Sequence, residues 1–228
     1  MITNSWRKAW QHNAYKMTMI SGFLILCIIS CFLNYFFQAI EVRQGIEIQD
    51  ILLSRLPAKD CSEVIFILIW SCIGLATFRF VNSPRLFLVF LWSYVLLCLT
   101  RIITITLVPL NAPAGLIPLR DPLSNYFYGQ VFITKDLFYS GHTATLFLIY
   151  LCLEKKNDRL FVLFSTGVVG LLLLIQHVHY SMDVLAAPFF AYFNYYCIQR
   201  FLKSGKLYEN QRQTVEDNKL LDERKTGC

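Results

Sequence analysis

The chain has 228 residues and a formal net charge of +6; it is 56% apolar and 15% aromatic, and only 16% of it is Asp, Glu, Lys or Arg, where soluble proteins carry about 25%. The apolar residues lie in long runs rather than in amphipathic stripes, which excludes an ordinary soluble domain and predicts an all-α, polytopic membrane helix bundle of about six transmembrane helices. The cations are scattered over loops and tail, a distribution that suits anionic headgroups and membrane topology and speaks against a nucleic-acid groove.

Residues 1–19 are polar and basic with Trp6, Trp10 and Tyr15 and lack a cleavable signal pattern; they read as a cytoplasmic interfacial segment. Six spans are expected within 20–202: Ile20–Phe37, Val64–Phe78, Leu86–Leu110, His142–Leu153, Leu160–Ile175 and Val184–Leu202. Several are shorter than the roughly 20 residues a span needs, so they borrow flanking residues or tilt. Arg101 is expected to mark the non-cytoplasmic end of the third, and Pro188 could kink the sixth. Residues 203–228 are charged and read as a mobile cytoplasmic tail. With no interaction domain expected ahead of the first span, the chain reads as nearly a bare membrane core.

Orientation follows from the basic residues. With both termini cytoplasmic, 15 of the 21 Lys and Arg fall on that side; Arg43, Arg55, Lys59, Arg101, Arg120 and Lys135 fall on the other. Six of the eight cysteines (Cys27, Cys31, Cys72, Cys98, Cys152 and Cys197) lie in apolar runs and no Cys-x-x-Cys pair occurs. They are expected to pack as small hydrophobes, so neither zinc nor a disulfide framework is predicted, and no metal or cofactor.

Two strings carry the chemistry: Tyr139-Ser140-Gly141-His142-Thr143 and His179-Tyr180-Ser181-Met182-Asp183-Val184. The His-x-x-x-Asp spacing is expected to put His179 and Asp183 on one face of a helical turn. The carboxylate then holds one ring nitrogen and frees the other to attack. His142, placed by the topology on the same exoplasmic side, can act as proton donor. Ser140 suits an N-cap and Gly141 lets a phosphate approach the backbone. The connection from Pro109 to Tyr139, with Pro113, Pro118 and Pro122, is long enough to be functional. His177, two residues from His179, points elsewhere and reads as a bystander.

These strings resemble the sphingomyelin synthase family, within the type 2 phosphatidic acid phosphatase superfamily. Arg101-Ile-Ile-Thr104-Ile-Thr106-Leu-Val-Pro109 and Gln49-Asp50-Ile-Leu-Leu-Ser-Arg-Leu-Pro57 are weaker echoes of two further blocks of that family. The resemblance implies a six-span core that passes phosphocholine or a related headgroup from a glycerophospholipid to ceramide. His179 would be the nucleophile, Asp183 its partner and His142 the acid and base. Arg101, Asp136, Tyr139 and Tyr180, with Ser140 and Gly141, would line the substrate site. Implied partners are membrane lipids, a glycerophospholipid donor and a ceramide or diacylglycerol acceptor, with a homo-oligomer left open. The chain departs from the family at Thr134-Lys135-Asp136, where Cys-Gly-Asp is usual, and at Ser181, where Thr is usual. It also lacks the Lys-x6-Arg-Pro block of the soluble phosphatases and has Leu173 in place of their arginine.

Two other readings stand beside transfer. The same His/His/Asp set with water as acceptor makes a lipid phosphatase or a phospholipase C-type hydrolase. A non-catalytic lipid-binding scaffold or a transporter has less support, since no broken helix pair recurs in two halves.

Overall fold

A computed structural model describes residues 2–119 and 133–204, with side chains from Ser5 to Leu202. The expectations for Arg120, Pro122 and the tail from residue 205 onward lie outside the described residues. The described chain is helical: α1 Ile2–Gln11, α2 Asn13–Glu41, α3 Ser62–Asn82, α4 Pro84–Leu107, α5 Gly141–Cys152, α6 Lys156–Ile175 and α7 Ser181–Ser204. The short 3-10 turn Leu53–Arg55 lies between α2 and α3, and the only extended pairing among the described residues is one isolated bridge, Ile46 to Leu110.

Each expected span coincides with a helix. Four of them, α2, α3, α4 and α6, are long and apolar enough to cross a membrane. The other two differ for separate reasons. Helix α5 is apolar but has 12 residues, about 18 Å at 1.5 Å per residue, against a hydrocarbon core of about 30 Å. Helix α7 has 24 residues but carries Asp183, Asn194, Gln199 and Arg200 among its aromatics.

Local chemistry sets the ends. The break between α1 and α2 falls at His12, whose backbone is extended, and α2 then starts at Asn13, seven residues before the predicted span. Pro84 holds the preceding Ser83 extended, which ends α3. The Ser83 hydroxyl then accepts from Leu86 N, and Pro84 occupies the first turn of α4, where its missing N–H costs nothing. The helix does not end at Arg101. Helix α4 runs on to Leu107 because the guanidinium turns sideways onto other protein groups instead of reaching for water.

Successive long helices alternate in direction, which gathers their ends into two sets. At one end Arg79 pairs with Asp158 at 2.6 Å, Trp6 donates to Val81 O and Tyr15 to Pro84 O. At the other, Arg43 donates to Ile105 O and Thr106 O, Lys59 N to Ile175 O, and Ser140 N to Asp183 O. Helix α5 is central: Ala144, Leu146, Leu148 and Ile149 are buried against α4, α6, α7 and α3. That burial fixes where the first turn of α5 sits, and with it His142.

Candidate active site

The residues before α5 are held by two helices. Glu41, the last residue of α2, accepts from Thr134 N at 3.0 Å and Thr134 Oγ1 at 2.5 Å, and Lys135 Nζ donates to Arg43 O. Lower down, one face of α4 takes over. Thr104 Oγ1 donates to Phe138 O at 3.0 Å, Arg101 Nε to Tyr139 O at 3.1 Å, and Thr100 Oγ1 meets the Tyr139 hydroxyl at 2.8 Å. Arg101 Nη2 pairs with Asp136 at 2.5 Å.

Tyr139 is fully enclosed and its ring stacks on Phe190 of α7, with centroids 4.4 Å apart and planes 4° from parallel. Asn194 Nδ2 donates to Thr100 Oγ1 at 2.9 Å. Ser140 is the N-cap residue of α5, but its hydroxyl meets Thr143 Oγ1 at 3.1 Å rather than a backbone N–H of the first turn. The Thr143 hydroxyl, on the same face one turn on, intercepts it. Gly141 is required by close approach: a Cβ there would fall 2.6 Å from the guanidinium carbon of Arg101. Arg101 therefore covers the start of α5, the end that offers N–H groups to an anion. His142, on that first turn, packs its ring edge-on to Phe66 of α3.

The second string is arranged differently from the spacing expectation. His179 stands before α7, which begins at Ser181, so the two residues do not share a helical face. Instead Asp183, in the first turn, reaches back. Its Oδ2 accepts from Tyr180 N at 3.0 Å and lies 3.4 Å from His179 Nδ1. This is half of a capping box, with the carboxylate satisfying the N-cap backbone. The pair is nearly sealed, at 3% and 0% side-chain exposure. A carboxylate only accepts, so the partnership assigns the ring proton to Nδ1 and leaves the Nε2 lone pair free. Asp183 Oδ1 is buried and makes no protein hydrogen bond. Ser140 N donates to Asp183 O at 3.1 Å, which joins the two strings directly.

Tyr180 is buried; its hydroxyl donates to Asn111 O at 3.0 Å and accepts from Ile48 N. Its ring, His177 and Asp50 line a cavity of about 570 Å³ that none of His142, His179 and Asp183 lines. A second, apolar cavity of about 530 Å³ is walled by Trp6, Phe80, Phe87 and Tyr94 and reaches Thr145 and Ile149 of α5. Among the described residues no three His, Cys, Asp or Glu side chains converge as a metal would need.

Three supports escaped the sequence. His177 is a brace: in a left-handed backbone conformation (φ 56°), it sets its ring nitrogens 2.9 Å from Ala114 O and 3.0 Å from Leu56 O. Gln176, wholly buried, bonds Cys61 N, Ser62 Oγ, Ile117 O and Pro118 O. Asp50 accepts from Ser181 N at 2.6 Å and from Ser181 Oγ at 3.0 Å. Gln176 and His177 showed only as polar residues after an apolar run, and Asp50 only within the Gln49–Pro57 string; their partners are far off in the chain.

The fold and site thus define a helical protein with several membrane-length apolar helices and a buried His–Asp pair joined to a second histidine's helix. Comparison with known proteins agrees in kind: residues 135–200, under a third of the chain, match the family described as PAP2 superfamily C-terminal. That stretch carries His142, His179 and Asp183. No curated protein and no solved structure matches the chain.

Proposed function

We propose that the protein is an integral membrane phosphotransferase that moves a phospholipid headgroup, phosphocholine or a relative of it, from a glycerophospholipid to ceramide. The observation that carries the reading is the sealed His179–Asp183 pair, bonded through Ser140 to the helix bearing His142. The match over residues 135–200 supports chemistry of the lipid phosphatase and phosphotransferase kind.

In the first step the His179 Nε2 lone pair attacks phosphorus and the P–O bond to the glycerol breaks. His142, as imidazolium, protonates the departing oxygen, which leaves as diacylglycerol. Asp183 balances the positive charge that develops on the His179 ring. In the second step the primary hydroxyl of ceramide gives its proton to His142, its oxygen attacks the phosphorus, and the P–N bond returns its electrons to His179. Arg101, over Gly141, and the N-terminal end of α5 would face the phosphate charge. The apolar cavity reaching Thr145, one turn beyond His142, offers room for hydrocarbon.

The basic-residue count supports two cytoplasmic termini and an exoplasmic site; the six helices then all traverse the bilayer, α5 with help from flanking residues. The test is purified protein in micelles with fluorescent ceramide and mixed glycerophospholipids, with and without His179→Ala. A new phosphosphingolipid that vanishes in the variant supports the proposal and identifies the headgroup. Diacylglycerol with a free headgroup, formed without ceramide, replaces transfer by hydrolysis at the same site, and no turnover of any lipid defeats both.

A further inference from the structure

The first turn of α7 has an uncovered donor that its own sequence does not satisfy. A helix starts with backbone N–H groups that lack intrahelical acceptors, and Ser, Thr, Asp or Asn at the N-cap normally accepts one of them. Here Tyr180 precedes the helix, and its hydroxyl is committed to Asn111 O and Ile48 N. Asp183 Oδ2 takes Tyr180 N and faces His179. The Ser181 N–H is left over, and Asp50, 131 residues earlier in the chain, receives it at 2.6 Å.

Asp50 is itself set in a rigid turn. Leu52 N and Leu53 N donate to its Oδ1 at 2.9 and 3.2 Å, and Ser54 N donates to its carbonyl. Leu53 packs into the small apolar cluster that includes Tyr180 and Leu174. The rest of that connection grips the same stretch: Lys59 N holds Ile175 O and Cys61 N holds Gln176. His177 bonds Leu56 O. Bonds therefore bracket His179 on both sides, and Asp50 closes the bracket at Ser181.

We propose that Asp50 is a positioning residue for the reaction, acting through Asp183. By occupying the Ser181 N–H it leaves the Asp183 carboxylate to serve His179. Without it, that N–H is an unsatisfied donor two residues from a buried carboxylate whose separation from His179 Nδ1, 3.4 Å, is already long. Asp183 Oδ1, which has no protein partner, is then drawn to Ser181 N; the carboxylate turns with it, and Oδ2 moves away from His179 Nδ1, which loses the acceptor that fixes its proton. The role rests on the proposed chemistry at His179 for its effect on turnover, but the competition for Asp183 is a property of the fold alone.

The experiment reads the two separately. The His179 Nδ1–H resonance is followed by nitrogen-15 NMR of the full chain in micelles, alongside headgroup transfer to ceramide. Asp50→Ala is expected to abolish the Nδ1–H signal and lower kcat at least tenfold with KM little changed. Asp50→Asn, which keeps an acceptor oxygen for Ser181 N but turns its amide donor onto Leu52 N and Leu53 N, is expected to retain the signal and lose part of the rate. The decisive variant is Asp50→Ala with Ser181→Pro. Proline is tolerated at the first helical position and has no N–H to offer, so the competing donor disappears and the signal should return. A persistent signal in Asp50→Ala overturns the proposal. So does a missing signal in the double variant with Ser181→Pro alone showing it, the comparison that separates misfolding from mispositioning. A parent protein that turns over no lipid defeats the functional reading and leaves the resonance to decide on Asp50.

Discussion

The backbone N–H of Ser140 donates to the carbonyl oxygen of Asp183 across 3.1 Å. This one bond joins the N-cap of α5 to the first turn of α7, and it holds the helix of His142 and the His179–Asp183 pair in a fixed relation. The packing of α5 places His142 on its first turn, but His179 lies outside α7 and is not positioned by its own helix.

The triad residues should separate by role. His179→Ala is expected to reduce headgroup transfer to background, while His142→Ala, which removes only proton transfer, is expected to cost about 10²–10⁴-fold in kcat. Capture of a headgroup-labelled, acid-labile adduct in His142→Ala but not in His179→Ala checks the order of steps. Equal residual rates in the two variants would argue against separate roles.

Gly141→Ala tests the contact between Arg101 and the start of α5. The added methyl meets the guanidinium carbon at 2.6 Å, so Arg101 or the helix must shift. The expected cost is about 1–3 kcal/mol, read as a fall in melting temperature of several degrees in detergent, with loss of transfer. Pairing it with Arg101→Ala, which clears the space, should recover stability but not activity.

Asp50 gives the chain a defined acid dependence. Partial burial pushes its carboxyl up, but hydrogen bonds from Ser181, Leu53 and Leu52 outweigh this and hold it below the usual carboxylate range. A carboxylate lowered in the folded state stabilises above the ordinary Asp value, near about 3.9, and that contribution fades as pH falls through the lower folded value. The melting-temperature gap between parent and Asp50→Asn is therefore expected to be constant at neutral pH and to close only below about pH 4. A gap that closes between pH 5 and 7 would point to another group.

The Arg79–Asp158 pair at the opposite end serves as the control. Both side chains are partly exposed, so Asp158→Asn is expected to cost about 0.2–1 kcal/mol in unfolding measurements and leave kcat unchanged. Loss of turnover there would mean that activity reports global stability rather than the site.

Much of this was legible in the chain. Long apolar runs marked the helices, since a buried or lipid-facing helix shows itself by length and composition, and the pairing of His179 with Asp183 could be read from their spacing. The geometry of that pair was not, because four-residue spacing on a helix and a capping carboxylate reaching back before one look the same in sequence. Helix α2 began earlier than predicted because Asn13, Ala14 and Tyr15 continue a helix while contributing little to an apolar run. Asp50, Glu41, Gln176 and His177 were hidden for a different reason: each acts on partners far along the chain, and nothing local distinguishes a brace from a solvated polar residue. Arg101 was visible as an oddity in an apolar run, but its partners Asp136 and Tyr139 lie across a long connection.

The descent of residues 133–141 along α4 sets a depth. The connection meets Glu41 and Arg43 at the top, Phe138 meets Thr104, and Tyr139 meets Thr100, seven residues before α4 ends at Leu107. That is about 10 Å down the helix axis. On the proposed reading, a phosphate reaching this level has sunk out of the headgroup region. The enzyme should then sense bilayer thickness, turning lipid over faster in short-chain vesicles, where the surface comes down to meet the histidines, than in long-chain ones.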